Sequence, residues 1–518
     1  MSRTNKSKRT APRAALQASA LPDFVLRHFD RQSGEYDHRQ LYRILQTGIR
    51  DARLSAGLKL PPTRALAQAL GIARNTVVHV YEQLALEGYV QAGVGRGTFV
   101  AEIGPRLVAS APPRPRAAAP MRSKLLSRRG GEVVLQAGAG RQQWGAFAPG
   151  VPEVRMFPSQ VWSRLHARLW RSAAPRQLSY ATGAGDPDLR QALAEYLQRA
   201  RGVVCSADQV VITSGTQQSL HLIAQLLADP GDAVWLEDPG YWGARSVFRA
   251  LGMKLVPVPV DGEGLAPGAA HLREPPRAMF VSPSHQYPTG ALMSHGRRRQ
   301  LLEYAAVHGV WVVEDDYDSE FRFGARPLPA LQGLDEHGRV IYLGTFSKTL
   351  FPALRMAYLV LPPDLVESFT RALTELYREG QSLQQAVLAR FLAEGHFASH
   401  VRRMRTVYAA RHDALVDAIG RHFGASLPVI GGDAGLHLVL GLPSAVDDRV
   451  AVDRIGRAGV VTRPLSLYHL DQEAAPVKGL LLGYGAVPEE EIASQFTLLA
   501  RALEGVLAPA PRAALRPA

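Results

Sequence analysis

A single cysteine, Cys205, stands in 518 residues, so the chain can form neither an internal disulfide nor a multi-thiolate zinc site. No apolar run approaches the roughly 20 residues needed to span a bilayer. The basic start (Arg3, Lys6, Lys8, Arg9, Arg13) is not followed by the apolar core of a secretory signal, which points to a cytoplasmic protein, with a transit peptide as the lesser reading. Acidic residues are scarce in one region only. Residues 1–140 hold 22 Lys and Arg against 9 Asp and Glu, a balance of +13 within a whole-chain charge of +14, so the rest is nearly neutral. This is the asymmetry of a polyanion-binding head on a neutral body. The length, with 46% hydrophobic and 20% charged residues, predicts a soluble chain of at least two domains. His396 and His400 stand four apart, as metal ligands on one helix face would. With no third ligand to join them they are read as surface histidines, and no metal is expected.

Residues 1–35 read as a disordered basic segment and 36–101 as the first domain. Leu41, Ile44, Leu45, Ile49 and Leu54 recur at roughly helical spacing and predict a first helix. Leu60-Pro61-Pro62 breaks the chain, and Thr63 starts a second helix with Leu66, Ala67 and Leu70 facing inward and Gly71 ending it. A third helix opens at Ala73–Thr76, carries Val77, Val80, Tyr81, Leu84 and Leu86, and stops at Gly88. Two short helices joined by a tight glycine-containing turn form a helix-turn-helix pattern. Tyr89–Gln91 and Thr98–Val100 then flank Gly93–Gly97 as a two-stranded wing with a basic tip. From Leu41 to Val100 the sequence resembles the winged-helix domain of the GntR regulators. The matching stretches are Leu60-Pro61-Pro62-Thr63-Arg64, Arg74-Asn75-Thr76-Val77, Tyr81-Glu82-Gln83-Leu84, Glu87-Gly88-Tyr89 and Gly95-Arg96-Gly97-Thr98. The resemblance implies that Arg64, Arg74, Asn75 and Thr76 meet double-stranded DNA at the recognition helix, with Arg96 and Gly97 from the wing. Guanidiniums at helix N-termini reach phosphates or guanine edges, which suits that role. Ala73 replaces the hydroxyl residue usual before this arginine, which takes away one phosphate contact.

Residues 102–143, rich in Pro, Ala and Arg, read as a linker, and 144–510 as a second, larger domain. Its runs 210–213, 233–236, 278–281, 310–313 and 340–343 are continuously apolar, as buried strands of a mostly parallel sheet are. Polar groups follow three of them, where open α/β sheets place ligands. Ser214-Gly215-Thr216-Gln217-Gln218 offers backbone N–H groups at a helix start to an anion. Glu314-Asp315-Asp316-Tyr317 offers an acid that can hold a pyridine nitrogen protonated. Gly344-Thr345-Phe346-Ser347-Lys348 offers hydroxyls and an amine, with Arg355 seven residues on. An amine, an acid and a phosphate cradle in this order suit a phosphorylated aldehyde that forms a Schiff base.

From about 145 to 505 the chain resembles a fold-type I aminotransferase, and as a whole it resembles the MocR/GabR subfamily of GntR regulators, which joins these two parts. The shared motifs are Tyr180–Arg190, Glu237–Tyr241, Ser282–Gly290 and Asp315–Phe321. The resemblance implies pyridoxal 5′-phosphate as cofactor, with Lys348 as the Schiff-base lysine and Asp315 on the ring nitrogen. Tyr317 would contact the ring hydroxyl and Tyr241 the ring face. Gly215, Thr216, Gln217, Thr345, Ser347 and Arg355 would surround the phosphate, and Tyr180 would reach the phosphate of a neighbouring subunit. A domain-swapped homodimer on paired operator half-sites is implied, with an amino compound or pyridoxal phosphate itself as effector. Two departures stand out. Tyr287 occupies the place of an Asn that bonds the ring hydroxyl, with His285 and Gln286 as candidate substitutes. Leu480-Leu481-Leu482-Gly483-Tyr484 lacks the arginine that grips a substrate carboxylate in the enzymes, which leaves Arg463 as a candidate. The resemblance therefore implies a regulator with at most residual transaminase half-reactions; the alternative is an active aminotransferase carrying a DNA-binding head.

Overall fold

The computed structural model describes residues 21–93, 96–102, 126–135, 144–180, 183–323, 329–378, 380–472 and 477–507. Residues 1–20, most of the linker, and Val94 and Gly95 of the wing tip lie outside these. Two compact units divide at Arg122/Ser123.

The head contains α1 (Leu21–Leu26), α2 (Asp37–Arg50), α3 (Thr63–Leu70) and α4 (Arg74–Leu86), followed by the hairpin β1 (Val90–Gly93) and β2 (Gly97–Val100). Each helix buries one stripe: Leu41, Ile44, Leu45 and Ile49 from α2, Leu66 and Leu70 from α3, Val77, Val80, Tyr81 and Leu84 from α4. Three details refine the sequence expectation. Leu86 is 89% exposed, because it lies nine residues beyond Val77 and so falls on the opposite side of a 3.6-residue helix. Leu54 is buried, but beyond the end of α2.

The third correction concerns residues 21–35, expected to be disordered. Leu21 and Val25 are fully buried in the head's core. The buried Gln40 ties down the segment that follows: its two amide N–H groups face Asp30 O (2.9 Å), Ser33 Oγ (2.7 Å) and Glu35 O (3.1 Å), and its oxygen accepts from Asp30 N (3.0 Å). Arg31 donates to the Leu70 carbonyl at the C-terminus of α3, where the helix dipole favours a cation. Leu58–Leu60 forms a further edge on the wing, with Leu60 N bonded to Thr98 O and Val100 N to Leu58 O.

Within the expected linker, α5 (Arg128–Leu135) is helical and packs on the body. The body's main sheet contains β3 (Val210–Thr213), β4 (Ala233–Asp238), β5 (Lys254–Asp261), β6 (Gly264–Leu265), β7 (Ala278–Val281), β8 (Trp311–Asp316), β9 (Val340–Thr345) and β10 (Ala357–Val360). Its order is β3-β10-β9-β8-β7-β4-β5-β6, parallel from β5 through β9, with antiparallel pairing at β10 and β6. The five expected strands are all present. Pro257 and Pro259 hide β5 from a pattern reading; it lies towards the sheet's edge, where a missing N–H is tolerated. A second, antiparallel sheet follows: β11 (Val429–Ile430), β12 (His437–Leu442), β13 (Arg463–Pro464) and β14 (Lys478–Gly483), in the order β11-β12-β14-β13. The long helix His396–Phe423 carries His400 into the core at 4% exposure, not to the surface, and burial holds its pKa down to about 4.

Candidate functional site

In the head, Arg64 sits in the first turn of α3, and Arg74, Asn75 and Thr76 form the first turn of α4. Arg64, Arg74, Asn75, Arg96 and Gly97 are exposed and Thr76 half-buried. The head's described ion pairs, Arg43–Glu35 and Arg53–Asp51, use other arginines. Unpaired guanidiniums at two helix starts and on a wing are suited to meeting phosphates. Lys59, which the motif reading passed over, pairs with Phe99 across the wing edge, and its ammonium stands 5.8 Å from that ring's centre beside Gly97.

In the body, strand register gathers the polar groups at one end of the sheet. Ala357 of β10 pairs with Thr213 on one side and Thr345 on the other, so the turns after β3 and β9 emerge side by side. Asp315 pairs with Leu343 and Asp316 with Gly344, which brings the acidic end of β8 to the same edge. The helix α8 (Thr216–Leu227) begins at Gly215, whose φ of +116° suits glycine. A Cβ there would come within 2.7 Å of the Arg355 guanidinium, which lies directly over this helix start. Arg355 is itself held at φ +50°, rare for a residue with a side chain. Thr345 Oγ1 donates to Ser347 Oγ (3.1 Å) and accepts from Ser347 N (3.2 Å). A cation, hydroxyls and helix-start N–H groups are the donors a phosphate calls for.

Next to it, Lys348 Nζ donates to the Gly150 carbonyl at 2.7 Å, and a Cβ on Gly150 would crowd that nitrogen. Burial lowers the pKa of Lys348, against the opposing pull of Asp318 and Asp315. A lysine shifted this way keeps more of its nucleophilic neutral form. Asp315 is 6% exposed and its Oδ1 is buried without a partner. Burial first, then Asp316, Glu237 and Asp318, push its carboxyl well above the usual range. A buried carboxylate short of a partner is costly alone and fits a protonated ring nitrogen. Tyr241 accepts from Gln217 Nε2 (3.0 Å) and feels both Asp315 and Arg355. The structure thus brings together Lys348, Asp315, Tyr241, Gln217, Gly215, Arg355, Thr345 and Ser347. Tyr317 joins them through Asp315. Tyr180, 75% exposed, stands apart.

The two departures from the enzyme pattern have physical answers. Gln286 cannot stand in for the missing Asn, because three acceptors, Glu237 Oε2, Pro239 O and Tyr287 O, already surround its two amide N–H groups. His285 can be considered, since its Nδ1 lies 2.9 Å from Tyr317 Oη and 2.9 Å from Asp318 Oδ1. Tyr287 keeps its ring against Tyr241 and Tyr317, with its hydroxyl 3.1 Å from that of Tyr468. Arg463 pairs with Leu481 in the β13–β14 ladder, so its side chain shares a face with a position two residues before Gly483. Its charge acts on both Tyr287 and Tyr468. Sequence reasoning missed Gly150, Asp318 and His437. His437 is buried between the rings of His285 (5.1 Å) and Tyr287 (5.2 Å) and donates from Nε2 to Pro288 O (3.1 Å); burial holds its pKa down to about 3. Only Asp318 lay inside a quoted motif, where a second acid one residue after Tyr317 was a usable signal.

Comparison with known proteins agrees with this division. Residues 38–100 match the family of bacterial regulatory proteins, gntR family, and residues 153–476 match aminotransferase class I and II. The chain is 42% identical over 464 residues to the probable rhizopine catabolism regulatory protein MocR of Rhizobium meliloti, covering 88% of this chain and 92% of that one. It is 30% identical to the pyridoxine biosynthesis transcriptional regulator PdxR of Corynebacterium glutamicum, covering 88% and 92%. Among solved structures, LysN, the α-aminoadipate aminotransferase of Thermus thermophilus complexed with N-(5′-phosphopyridoxyl)-L-leucine, superimposes with a TM-score of 0.67 at 30% identity. That match covers 74% of this chain and 99% of LysN. The Pyrococcus horikoshii kynurenine aminotransferase with PMP gives 0.65 at 27% identity, covering 74% and 96%.

Proposed function

We propose that this chain, which belongs to the MocR-type regulators of the GntR family, is a transcription regulator that binds operator DNA through its head and reads an amino compound, or pyridoxal phosphate itself, through its body. The observation that carries this reading is the buried, partnerless Oδ1 of Asp315 close to a lysine whose pKa burial has lowered. Pyridoxal phosphate supplies an aldehyde that bonds primary amines and a ring that withdraws electrons. Around it, Asp315 would hold a proton on the pyridine nitrogen and Tyr241 would lie against the ring face. Arg355, Thr345, Ser347, Thr216, Gln217 and the Gly215 backbone hold the phosphate. Lys348 provides the amine, and Tyr317 donates to the ring oxygen. Arg463 grips a carboxylate on the effector. Tyr180 is exposed in one copy and reaches the phosphate of a second in a domain-swapped homodimer. The two heads then meet paired half-sites, whose spacing mirrors that symmetry.

Regulation requires that the effector bind the DNA-competent and DNA-incompetent states with different affinity. The rival reading, a working aminotransferase, is weakened by Leu480–Leu482, where the enzymes' carboxylate arginine is absent. The test combines two readouts on the full-length protein. With added pyridoxal phosphate the wild type should gain a visible absorption band, which Lys348→Ala should abolish. Amino compounds that change the band should also change operator affinity. A band that survives Lys348→Ala would sink the assignment, and sustained multiple turnover with a common amino acid would promote the rival.

A further inference from the structure

His285 and Asp318 are almost wholly buried, with side chains 2% and 1% exposed. The imidazole ring lies nearly parallel to Tyr317, with centroids 5.8 Å apart. Gly435 of the small subdomain closes over the pair: any side chain there would collide with the imidazole and with Asp318 Oδ2. Two atoms of the pair, His285 Nε2 and Asp318 Oδ2, are buried without a hydrogen-bond partner. Buried polar groups are nearly always bonded, so such a cluster calls for a chemical reason. The other groups facing the pair are Asp315, Lys348, His437 and Tyr484.

His285 Nδ1 has two neighbours at 2.9 Å, Asp318 Oδ1 and Tyr317 Oη, but it carries at most one proton. If Nδ1 were bare it would accept the tyrosine's O–H and turn that proton away from the pocket. If Nδ1 is protonated it donates to the carboxylate, and the tyrosine proton is free to point elsewhere. A carboxylate beside an imidazole N–H fixes that tautomer.

We infer that Asp318 and His285 are positioning residues that together replace the missing asparagine: Asp318 holds the proton on His285 Nδ1, and this leaves the Tyr317 hydroxyl to donate to the ring oxygen of the bound cofactor. The inference rests on the cofactor reading above and adds to it a means of setting the ring's electronics. A donor to that oxygen stabilises its negative charge and so lowers the proton affinity of the linked Lys348 nitrogen. Asp318→Asn keeps the shape of the site, but its neutral amide no longer holds the proton on Nδ1, and a bare Nδ1 captures the tyrosine proton.

The experiment follows the visible band of the pyridoxal phosphate-loaded full-length protein as pH is varied. Tyr317→Phe should raise the pH midpoint of the band by roughly one unit, the size of one hydrogen bond to a charged group. Asp318→Asn should raise it in the same direction, and the double variant should rise no further than Tyr317→Phe alone. Loss of Asp318's negative charge near Lys348 would by itself lower the midpoint, so a fall, no change, or additive effects would overturn the inference. If Asp318→Asn does not fold, ¹⁵N-histidine NMR of the wild type decides. A proton on His285 Nδ1 supports the inference, and one on Nε2 alone overturns it. A wild type with no band at all would remove the cofactor reading and this inference with it, whereas a wild-type band with an insensitive midpoint removes this inference only.

Discussion

The head and the body earn their chemistry in opposite ways. In the head, the side chains expected to work (Arg64, Arg74, Asn75, Arg96) are exposed, and the polar bonding that shapes the fold lies elsewhere, in Gln40 and Arg31. In the body, the groups proposed to work are buried and short of partners: Asp315 Oδ1, His285 Nε2 and Asp318 Oδ2. A surface that meets a polyanion needs only charge at the right spacing, and water pays for it until DNA arrives. A pocket that holds a charged ring must leave polar atoms unsatisfied in advance, because the ligand completes them. The two regions can therefore be separated by mutation.

The largest effect should come from Arg463→Leu in the body. Removing the cation that faces Tyr287 and Tyr468 should weaken binding of carboxylate-bearing amines by about 2–5 kcal/mol, read by spectral titration. Operator affinity without effector should stay unchanged; a parallel loss of DNA binding would break the separation. Next, Arg74→Ala in the head should weaken operator binding by about 1–3 kcal/mol, or flatten its salt dependence by about one if the contact is to phosphate. Its visible band should match the wild type, and a shifted band would again join what the comparison separates. The smallest effect should come from Arg31→Ala. Loss of a cation at the C-terminus of α3 should cost the head about 0.3–1 kcal/mol, read by thermal unfolding. No loss would mean that Arg31 does not help to hold residues 21–35 on the head.

Motif reading worked where function lies close to the order of residues. The head's helices follow from stripes such as Val77, Val80, Tyr81 and Leu84, and glycine turns mark their ends. It missed the end of α2, which stops at Arg50 although the apolar spacing runs on to Leu54. It also failed at residues 21–35, whose anchoring runs through the distant Gln40 and the Leu70 carbonyl. In the body, the turns after β3, β8 and β9 were legible because a parallel sheet delivers successive strand ends to one edge.

Sequence by itself determined the two-part plan, the basic head, and the lysine, acid and arginine that suit a phosphorylated aldehyde. Each is a local matter of composition, periodicity or spacing along one strand-turn-helix unit. Only the tertiary structure decided that Gln286 is already fully engaged, that Arg463 stands across the ladder from Leu481, and that His285 lies between Asp318 and Tyr317. Those facts join residues far apart in sequence. They are fixed by strand register and by the competition of buried polar groups for the few partners within reach.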